Sequence, residues 1–555
     1  MKAAPALLWA TLLTATAVFA QPAVRIHVDA ALKTGPLRPA WSFFGYDEPN
    51  YTYMQYGRKL LGELSALNPA PVQIRCHNLL TSGDGTPSLK WGSTNAYTED
   101  PSGRPVYDWK ILDRIFDTFR ETGVKPLVEI GFMPEALSTG PPPYRMQWPE
   151  QFSTGWAFPP KDYRKWAELV HGWVRHAVER YGRQEVETWY WELWNEPDIS
   201  YWRGTPEEYF RLYDFTADAL KRALPTSRIG GPHSTGPANP RAAEFLRSFL
   251  EHCVRGKNYA TGGVGAPLDY IGFHAKGSPA MVGGRVRMGI REQALSVARG
   301  FEIVASFPEL RGRPVIIGES DPEGCAACSA RSHPQNAYRN GPLYPCYTAA
   351  MFKHTLDLAE RYGTNLEGAV TWAFEFEGQP YFDGFRTLAT NGIDKPVLSV
   401  FRMLGLMGPD RLRVESDGAV PLDAVLQAGV RERPDINALA SRGEREVSVL
   451  VWNYHDDDTL APDAAVRLAV SGIPASAGRV LIRHFRIDEQ HSNAYTVWRE
   501  LGSPQSPSPE QYARLEAAGR LEMLESPRWL WNAGGRLEVG FRLPRQGVSL
   551  IQFSW

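Results

Sequence analysis

Eight short apolar runs, separated by helical patterns, constrain the fold of this chain more than any other feature. They fall at residues 42–47, 72–77, 126–132, 188–196, 228–233, 269–274, 314–319 and 369–375. Between them, Trp109, Leu112, Ile115, Phe116 and Phe119 follow the spacing of one helical face, and Gly123 stops that helix. Trp166, Leu169, Val170, Trp173, Val174, Ala177 and Val178 form a second apolar stripe. Thr205-Pro206-Glu207-Glu208 is a capping box that opens a third helix, running through Leu220. Eight strands alternating with helices predict an α/β fold of the (β/α)8 (TIM) barrel type, over residues 41–405.

Two of these runs end in a carboxylate. The fourth closes on Trp194-Asn195-Glu196-Pro197, and Pro314-Val315-Ile316-Ile317-Gly318 closes on Glu319. Burying an acid costs several kcal/mol unless partners compensate, so folding alone explains such placements poorly. In a barrel of this type the C-terminal strand ends carry the active site. Two carboxyls there suit glycoside hydrolysis, in which one protonates a poor leaving group and the other meets an oxocarbenium-like centre. Glu196 is then the acid/base, kept protonated by its aromatic surroundings and a neighbouring charge, and Glu319 the nucleophile. Asn195 would hydrogen-bond the sugar 2-hydroxyl. Glu192 lies one layer deeper on the same face and reads as a paired interior acid; Glu129 and Glu375 stay open between the two roles. Asp321 rivals Glu319 but already lies in the loop. A carboxyl separation of about 6.5–9.5 Å would indicate inversion instead. A carbohydrate-binding protein without catalysis is the alternative of a different class, and the presence of both Glu196 and Glu319 argues against it.

The rest of the chain narrows the setting. A formal charge of −2, with 22% charged residues mixed in sign, gives no reason to expect nucleic acid or an anionic membrane as partner. Residues 1–20 carry Lys2, an apolar stretch and Val18-Phe19-Ala20 before Gln21, the pattern of a secretory leader. The mature protein is therefore expected to be exported, periplasmic or secreted. Five cysteines (Cys76, Cys253, Cys325, Cys328 and Cys346) allow one disulfide, within Cys325–Cys328 or from that loop to Cys346, or free thiols. A zinc site with His333 fits no standard ligand spacing, and neither a metal nor a cofactor is expected. Past residue 405 the pattern changes to short alternating or β-branched runs at 447–454, 479–487, 536–543 and 547–555. These predict an antiparallel β-sandwich over 406–555, which residues 24–29 of the 21–40 segment could join. The stretch 502–509 reads as a surface loop leading into a helix at 510–518.

Several motifs carry a resemblance to glycoside hydrolase family 39. They are Asn195-Glu196-Pro197-Asp198, Ile317-Gly318-Glu319-Ser320-Asp321-Pro322, Arg75-Cys76-His77, the segment from Leu127 to Pro134, Asp269-Tyr270-Ile271-Gly272-Phe273-His274, and His491-Ser492-Asn493-Ala494-Tyr495. The resemblance implies a barrel with catalytic glutamates on strands four and seven, retention of configuration, and an oligosaccharide substrate cut from its end. It implies substrate-binding roles for His77, Asn195, His274, Lys276, Glu375 and Arg386. The family holds β-xylosidases and α-L-iduronidases. Lys276, two positions after His274, and Arg386 in Gly384-Phe385-Arg386-Thr387-Leu388 resemble the iduronidase pattern, where such cations bind the sugar carboxylate. The alternative for both is pairing with Glu375, Glu377 or Asp383 to hold loops. The leader and the sandwich resemble the β-xylosidases, and a β-xylosidase is the expectation, with a uronidase as runner-up. Residues 134–156 and 322–345, rich in Pro, Gly and aromatics, would close one end of the cleft.

Overall fold

The computed structural model describes residues 23–67, 70–140, 145–147, 151–153, 155–532 and 534–555. The leader at 1–20 lies outside the described residues, as do 141–144, 148–150 and 154 of the expected 134–156 lid. Among the described residues no helix is long and apolar enough to cross a membrane.

All eight expected barrel strands form. They are β1 (Phe43–Tyr46), β2 (Gln73–Cys76), β3 (Lys125–Ile130), β4 (Tyr190–Leu193), β5 (Arg228–Ser234), β6 (Tyr270–Lys276), β7 (Pro314–Asp321) and β8, which runs in two segments, Asn365–Ala369 and Thr371–Trp372. Each pairs in parallel with its sequence neighbour. The first segment of β8 pairs with β7 and the second with β1, which closes the barrel. The eighth strand begins earlier than expected because Asn365 and Glu367, both half-buried, break the apolar run there. Helices α1 (Lys110–Thr122), α2 (Tyr163–Tyr181), α3 (Pro206–Ala223), α4 (Leu343–Tyr362) and α5 (Pro396–Gly405) pack outside. Gly123, at φ 83°, ends α1 in the left-handed conformation. The Thr205–Glu208 capping box opens α3.

The C-terminal part is a separate, ten-stranded and largely antiparallel sheet. Its members are the N-terminal strand Val24–Pro36, then β9 (Asp410–Ser416), β10 (Asp435–Arg442), β11 (Glu446–Tyr454), β12 (Ala464–Ser471), β13 (Arg479–Ile487), β14 (Glu522–Met523), β15 (Arg528–Trp531), β16 (Arg536–Leu543) and β17 (Val548–Ser554). Val24–Pro36 does join it, antiparallel to β9 and parallel to β12. Val28, Ala438, Val449, Leu468, Ile482, Val539 and Ile551 come from strands along the whole sheet yet share one core, so the sheet folds over itself. The opposite faces of β10, β11 and β17 give Leu439, Leu450, Trp452 and Leu550 to the barrel core instead. Burial on both faces explains why β11 reads as a continuous apolar run.

Trp452 is fully buried at this junction and donates its indole N–H to Asp435 over 2.9 Å. Trp452→Ala should cost about 3–5 kcal/mol. Urea unfolding followed by circular dichroism and by activity should show one transition moving to lower denaturant; separate transitions would mean that the sheet and barrel unfold independently.

Candidate active site

At the C-terminal mouth of the barrel a single guanidinium organises the polar residues. Arg75, fully buried at the inner end of β2, lies 2.5 Å from Glu192, 3.0 Å from Glu129 and 3.2 Å from Glu319. It also donates to Asn195 Oδ1 over 3.1 Å and rests 4.8 Å from the Trp372 ring centroid. Arg75 and His77 share one face of β2 by the two-residue period. His77 Nδ1 lies 2.7 Å from Asp47, and its Nε2 lies 3.1 Å from Glu129. Asp47 in turn pairs with the buried Lys90 at 2.5 Å. His233 braces the other side of Glu192 at 2.6 Å. Glycine is required beside it: a Cβ at Gly318 would fall 2.0 Å from the His233 ring, and one at Gly272 2.3 Å from it. The glycine inside Ile316-Ile317-Gly318-Glu319 thus makes room for a buried histidine.

Beyond β4 the backbone turns sharply. Trp194 (φ 68°) and Glu196 (φ 44°) both adopt the left-handed region, a conformation costing about 1–3 kcal/mol each for such residues. The turn sends Asn195 inward to Arg75 and carries Glu196 across the mouth, where its N–H donates to the His233 carbonyl over 3.0 Å. His274 Nδ1 lies 2.9 Å from Glu196 Oε1 and 3.7 Å from Glu319 Oε1. One donor atom each from Glu196, His274 and Glu319 lie within 4.8 Å of one another. A divalent cation there would face Arg75 and Lys276, which already occupy the two Glu319 oxygens.

The two carboxyls are driven apart in acidity. Burial and the negative charge of Glu319 push Glu196 up to about 7. Burial alone would also raise Glu319, but the Lys276 ammonium and the Arg75 guanidinium hold it well below the usual carboxylate range. Burial together with Glu192 and Glu319 keeps Glu129 well above its ordinary value, whereas Arg75 and His233 overcome burial at Glu192 and lower it. Burial lowers His274 well below the ordinary histidine value, so its ring is neutral.

Lys276, at the end of β6, contacts Glu319 Oε2 and lies 2.7 Å from Asp321 Oδ2. Asp321 also accepts from the Trp372 N–H over 2.8 Å and faces Arg386 at 3.6 Å. Arg386 is fully buried, donates Nε–H to the Trp372 carbonyl over 2.8 Å and faces Glu323 at 3.6 Å. Both cations do meet carboxylates, but those of Asp321, Glu319 and Glu323 rather than Glu375, Glu377 or Asp383. The next segment is tied down: Cys325 and Cys328 form a disulfide, and Arg339 donates to the carbonyls of Cys325, Ala326 and Cys328. Cys76, Cys253 and Cys346 are buried free thiols.

Of the residues singled out in the sequence, Glu196, Glu319, Asn195, His77, His274 and Lys276 converge here. Arg386 backs the site through Asp321. Glu375 goes elsewhere: it is fully buried and turns toward the backbone amides of Gly392 and Asn391, and burial pushes it up to about 8. Sequence reasoning did not assign roles to Arg75, Asp47 or Lys90, and it set Asp321 aside as a loop residue although it ends β7. Arg75 carried a signal, being a charged residue two positions before His77 on a fully buried strand. Among the aromatic candidates, Trp372 lies 4.3 Å from the His77 ring and lines the site, whereas Phe273 packs outward on Phe301.

Comparison with known proteins places this geometry in a family. The pattern of glycosyl hydrolases family 39 matches residues 24–537, and the chain belongs to that family. It is 26% identical over 491 residues to a beta-xylosidase of Geobacillus stearothermophilus, covering 86% of this chain and 85% of that one. It is 29% identical over 553 residues to the alpha-L-iduronidase of Homo sapiens, covering 94% and 77% respectively. The crystal structure of a monomeric beta-xylosidase from Caulobacter crescentus CB15 superposes with a TM-score of 0.74 at 22% identity, over 96% of this chain and 99% of that one. The protein is a glycoside hydrolase.

Removing the guanidinium should expose how much the cluster depends on it. Arg75→Met leaves buried carboxylates unpaired, at a cost of about 3–5 kcal/mol at pH 7. The loss should shrink as pH falls and these acids take up protons, because Arg75 stabilises their ionised forms. Thermal melts of wild type and variant from pH 7 to pH 5 would show the gap narrowing; a constant gap would assign the loss to packing alone.

Proposed function

We propose that this protein is a retaining, exo-acting β-xylosidase, with Glu196 as acid/base and Glu319 as nucleophile. The observation that carries the reading is the carboxyl pair itself. Its oxygens lie within 4.8 Å, which fits the roughly 5–5.5 Å of double displacement better than the wider gap that a water-activating pair needs. Glu319, held ionised, attacks the anomeric carbon while Glu196, protonated near neutrality, delivers its proton to the departing oxygen. The glycosyl–Glu319 ester removes the negative charge that raised Glu196. Glu196 then becomes the stronger acid and the better placed base, and it activates the water that cleaves the ester. Neutral His274 fixes the Glu196 carboxyl, and Asn195, held by Arg75, is positioned for the sugar 2-hydroxyl. Lys276 and Arg386 are already matched by Glu319, Asp321 and Glu323, so a neutral sugar leaves no charge uncompensated. Export through a leader at 1–20 agrees with the Cys325–Cys328 disulfide.

A second reading, an α-L-iduronide substrate, is favoured by Lys276. A β-D-xyloside and an α-L-iduronide share configuration from C1 to C4 and differ by a carboxylate at C5. Lys276 is partly exposed at the mouth and touches the nucleophile, where a substrate carboxylate could take over its charge. The alpha-L-iduronidase of Homo sapiens also aligns over more of this chain than the beta-xylosidase of Geobacillus stearothermophilus does.

Initial rates on aryl β-D-xyloside and aryl α-L-iduronide decide between them. The xyloside should be turned over, Glu319→Gln should abolish that turnover, and Glu196→Gln should lower it by about 10²–10⁴-fold for poor leaving groups. Proton NMR of the first-formed sugar should show retained configuration. Inversion would overturn the mechanism, and preference for the iduronide the substrate.

The pH profile follows from the same charges. Activity needs Glu319 ionised and Glu196 protonated, so it should fall above about pH 7. Lys276 lowers both groups, so Lys276→Met should move both limbs of the kcat/KM profile to higher pH. An unmoved alkaline limb would remove Glu196 as the titrating acid.

A further inference from the structure

The C-terminal sheet presents two tryptophans to solvent with no protein partner covering them. On β15, Trp529 is 55% and Trp531 75% exposed. Lying two positions apart, they point from the same face, about 6.6 Å apart along the strand. The register sets Leu481 opposite Trp529 and Arg479 opposite Trp531, and the guanidinium of Arg479 lies 5.5 Å and 5.7 Å from the two ring centroids. Further along the same face of β13 comes Arg483, before Phe485, which packs against the barrel core beside the exposed Met523. The alternate residues Val480, Ile482 and His484 are buried in the other direction. The row from Trp531 to Arg483 is therefore the solvent-exposed continuation of the sheet face that Phe485 and Leu550 turn to the barrel core, with aromatic rings set beside arginines.

We infer that this face binds a polysaccharide chain bearing uronic acid groups, at a site separate from the barrel mouth. Indole rings offer broad apolar faces on which the C–H faces of pyranose rings stack, while polar edges remain free to hydrogen-bond. The linear arrangement along one strand suits an extended chain rather than a single sugar. Charge selects the class of chain. Among the described residues neither Arg479 nor Arg483 has an acidic partner, whereas Arg528 is paired with Glu525, and the nearby Glu446 is taken up by Gln552, Ser448 and Ser554. Two uncompensated guanidinium groups beside two stacking rings complement carboxylates on a sugar chain. The size of the patch argues against a second copy of this chain as the occupant. The two indoles expose roughly 300 Å² together, well short of the about 800 Å² per partner that a stable protein interface buries. Such a patch would hold the enzyme on acidic polysaccharide while the barrel trims chain ends.

Affinity electrophoresis of the full chain in gels containing 4-O-methylglucuronoxylan or neutral arabinoxylan tests the inference. Wild type should be retarded more by the glucuronoxylan. Trp529→Ala/Trp531→Ala should weaken its apparent affinity at least tenfold and leave kcat/KM on an aryl glycoside within twofold. Arg479→Gln/Arg483→Gln should erase the preference for glucuronoxylan over arabinoxylan while keeping some retardation by both. Equal mobility of wild type and the tryptophan variant would overturn the site. So would a wild type that sediments as a dimer and a tryptophan variant that sediments as a monomer with unchanged retardation, which would make a second copy the occupant. Because the aryl-glycoside assay reads the barrel alone, failure here leaves the catalytic reading standing, and failure there leaves this one.

Discussion

A buried arginine surrounded by carboxylates is the constraint on which the rest of this active site depends. Glu129, Glu192 and Glu319 all approach the Arg75 guanidinium within 3.2 Å, in a space where an unpaired charge would cost several kcal/mol. One cation cannot neutralise three anions, and the structure resolves the excess by unequal protonation. Glu192, with both Arg75 and His233, stays ionised; Glu129, with less support, is driven toward its neutral form. The fixed fork of the guanidinium then sets positions as well as charges. It orients Asn195 and holds one oxygen of Glu319, so two residues from different strands share one anchor.

The same field separates the two carboxyls at the mouth. Glu319 has Lys276 on one oxygen and Arg75 on the other, whereas Glu196 reaches the site from a strained turn and meets a neutral histidine. Like charges this close cannot both ionise cheaply, and the cations decide which one does. The proposed acid/base assignment thus rests on where the positive charges sit. Neither glutamate differs in kind from the other.

How much of this is legible in the sequence depends on whether an element is specified locally. Strands β1 to β7 declare themselves because burial on both faces demands continuous apolar runs. The eighth is blurred by Asn365 and Glu367. In the C-terminal sheet, β11, β13, β16 and β17 read clearly. Five other strands of that sheet are not among the expected runs, and two of them, Asp410–Ser416 and Arg528–Trp531, are mostly polar or exposed and carry no inward-facing run of any length. Glu196 and Glu319 stand out because an acid at the end of an apolar strand is anomalous. Arg75, Asp47 and Lys90 do not, because a lone charge carries no record of its partner, and their partners lie on other strands.

The wall formed by Lys276, Asp321 and Arg386 shows the limit most clearly. Read along the chain, two cations near a sugar site suggest a clamp for a carboxylate. In three dimensions Asp321 stands between them, fixed by the Trp372 amide, and Glu323 supports Arg386 from behind while it is also paired with Arg339. Arg339 in turn is capped by the carbonyls of the disulfide loop, so the acids that neutralise the wall are themselves held by the 322–345 segment. Under the proposed reaction, specificity at C5 is then not a property of Lys276 alone. It depends on whether Asp321 keeps the lysine or yields it to a substrate carboxylate, and the rigidity of the tied loop bears on that exchange. A fixed Asp321 favours a neutral ring, because a second anion beside it and Glu319 would have one ammonium to share among three carboxylates.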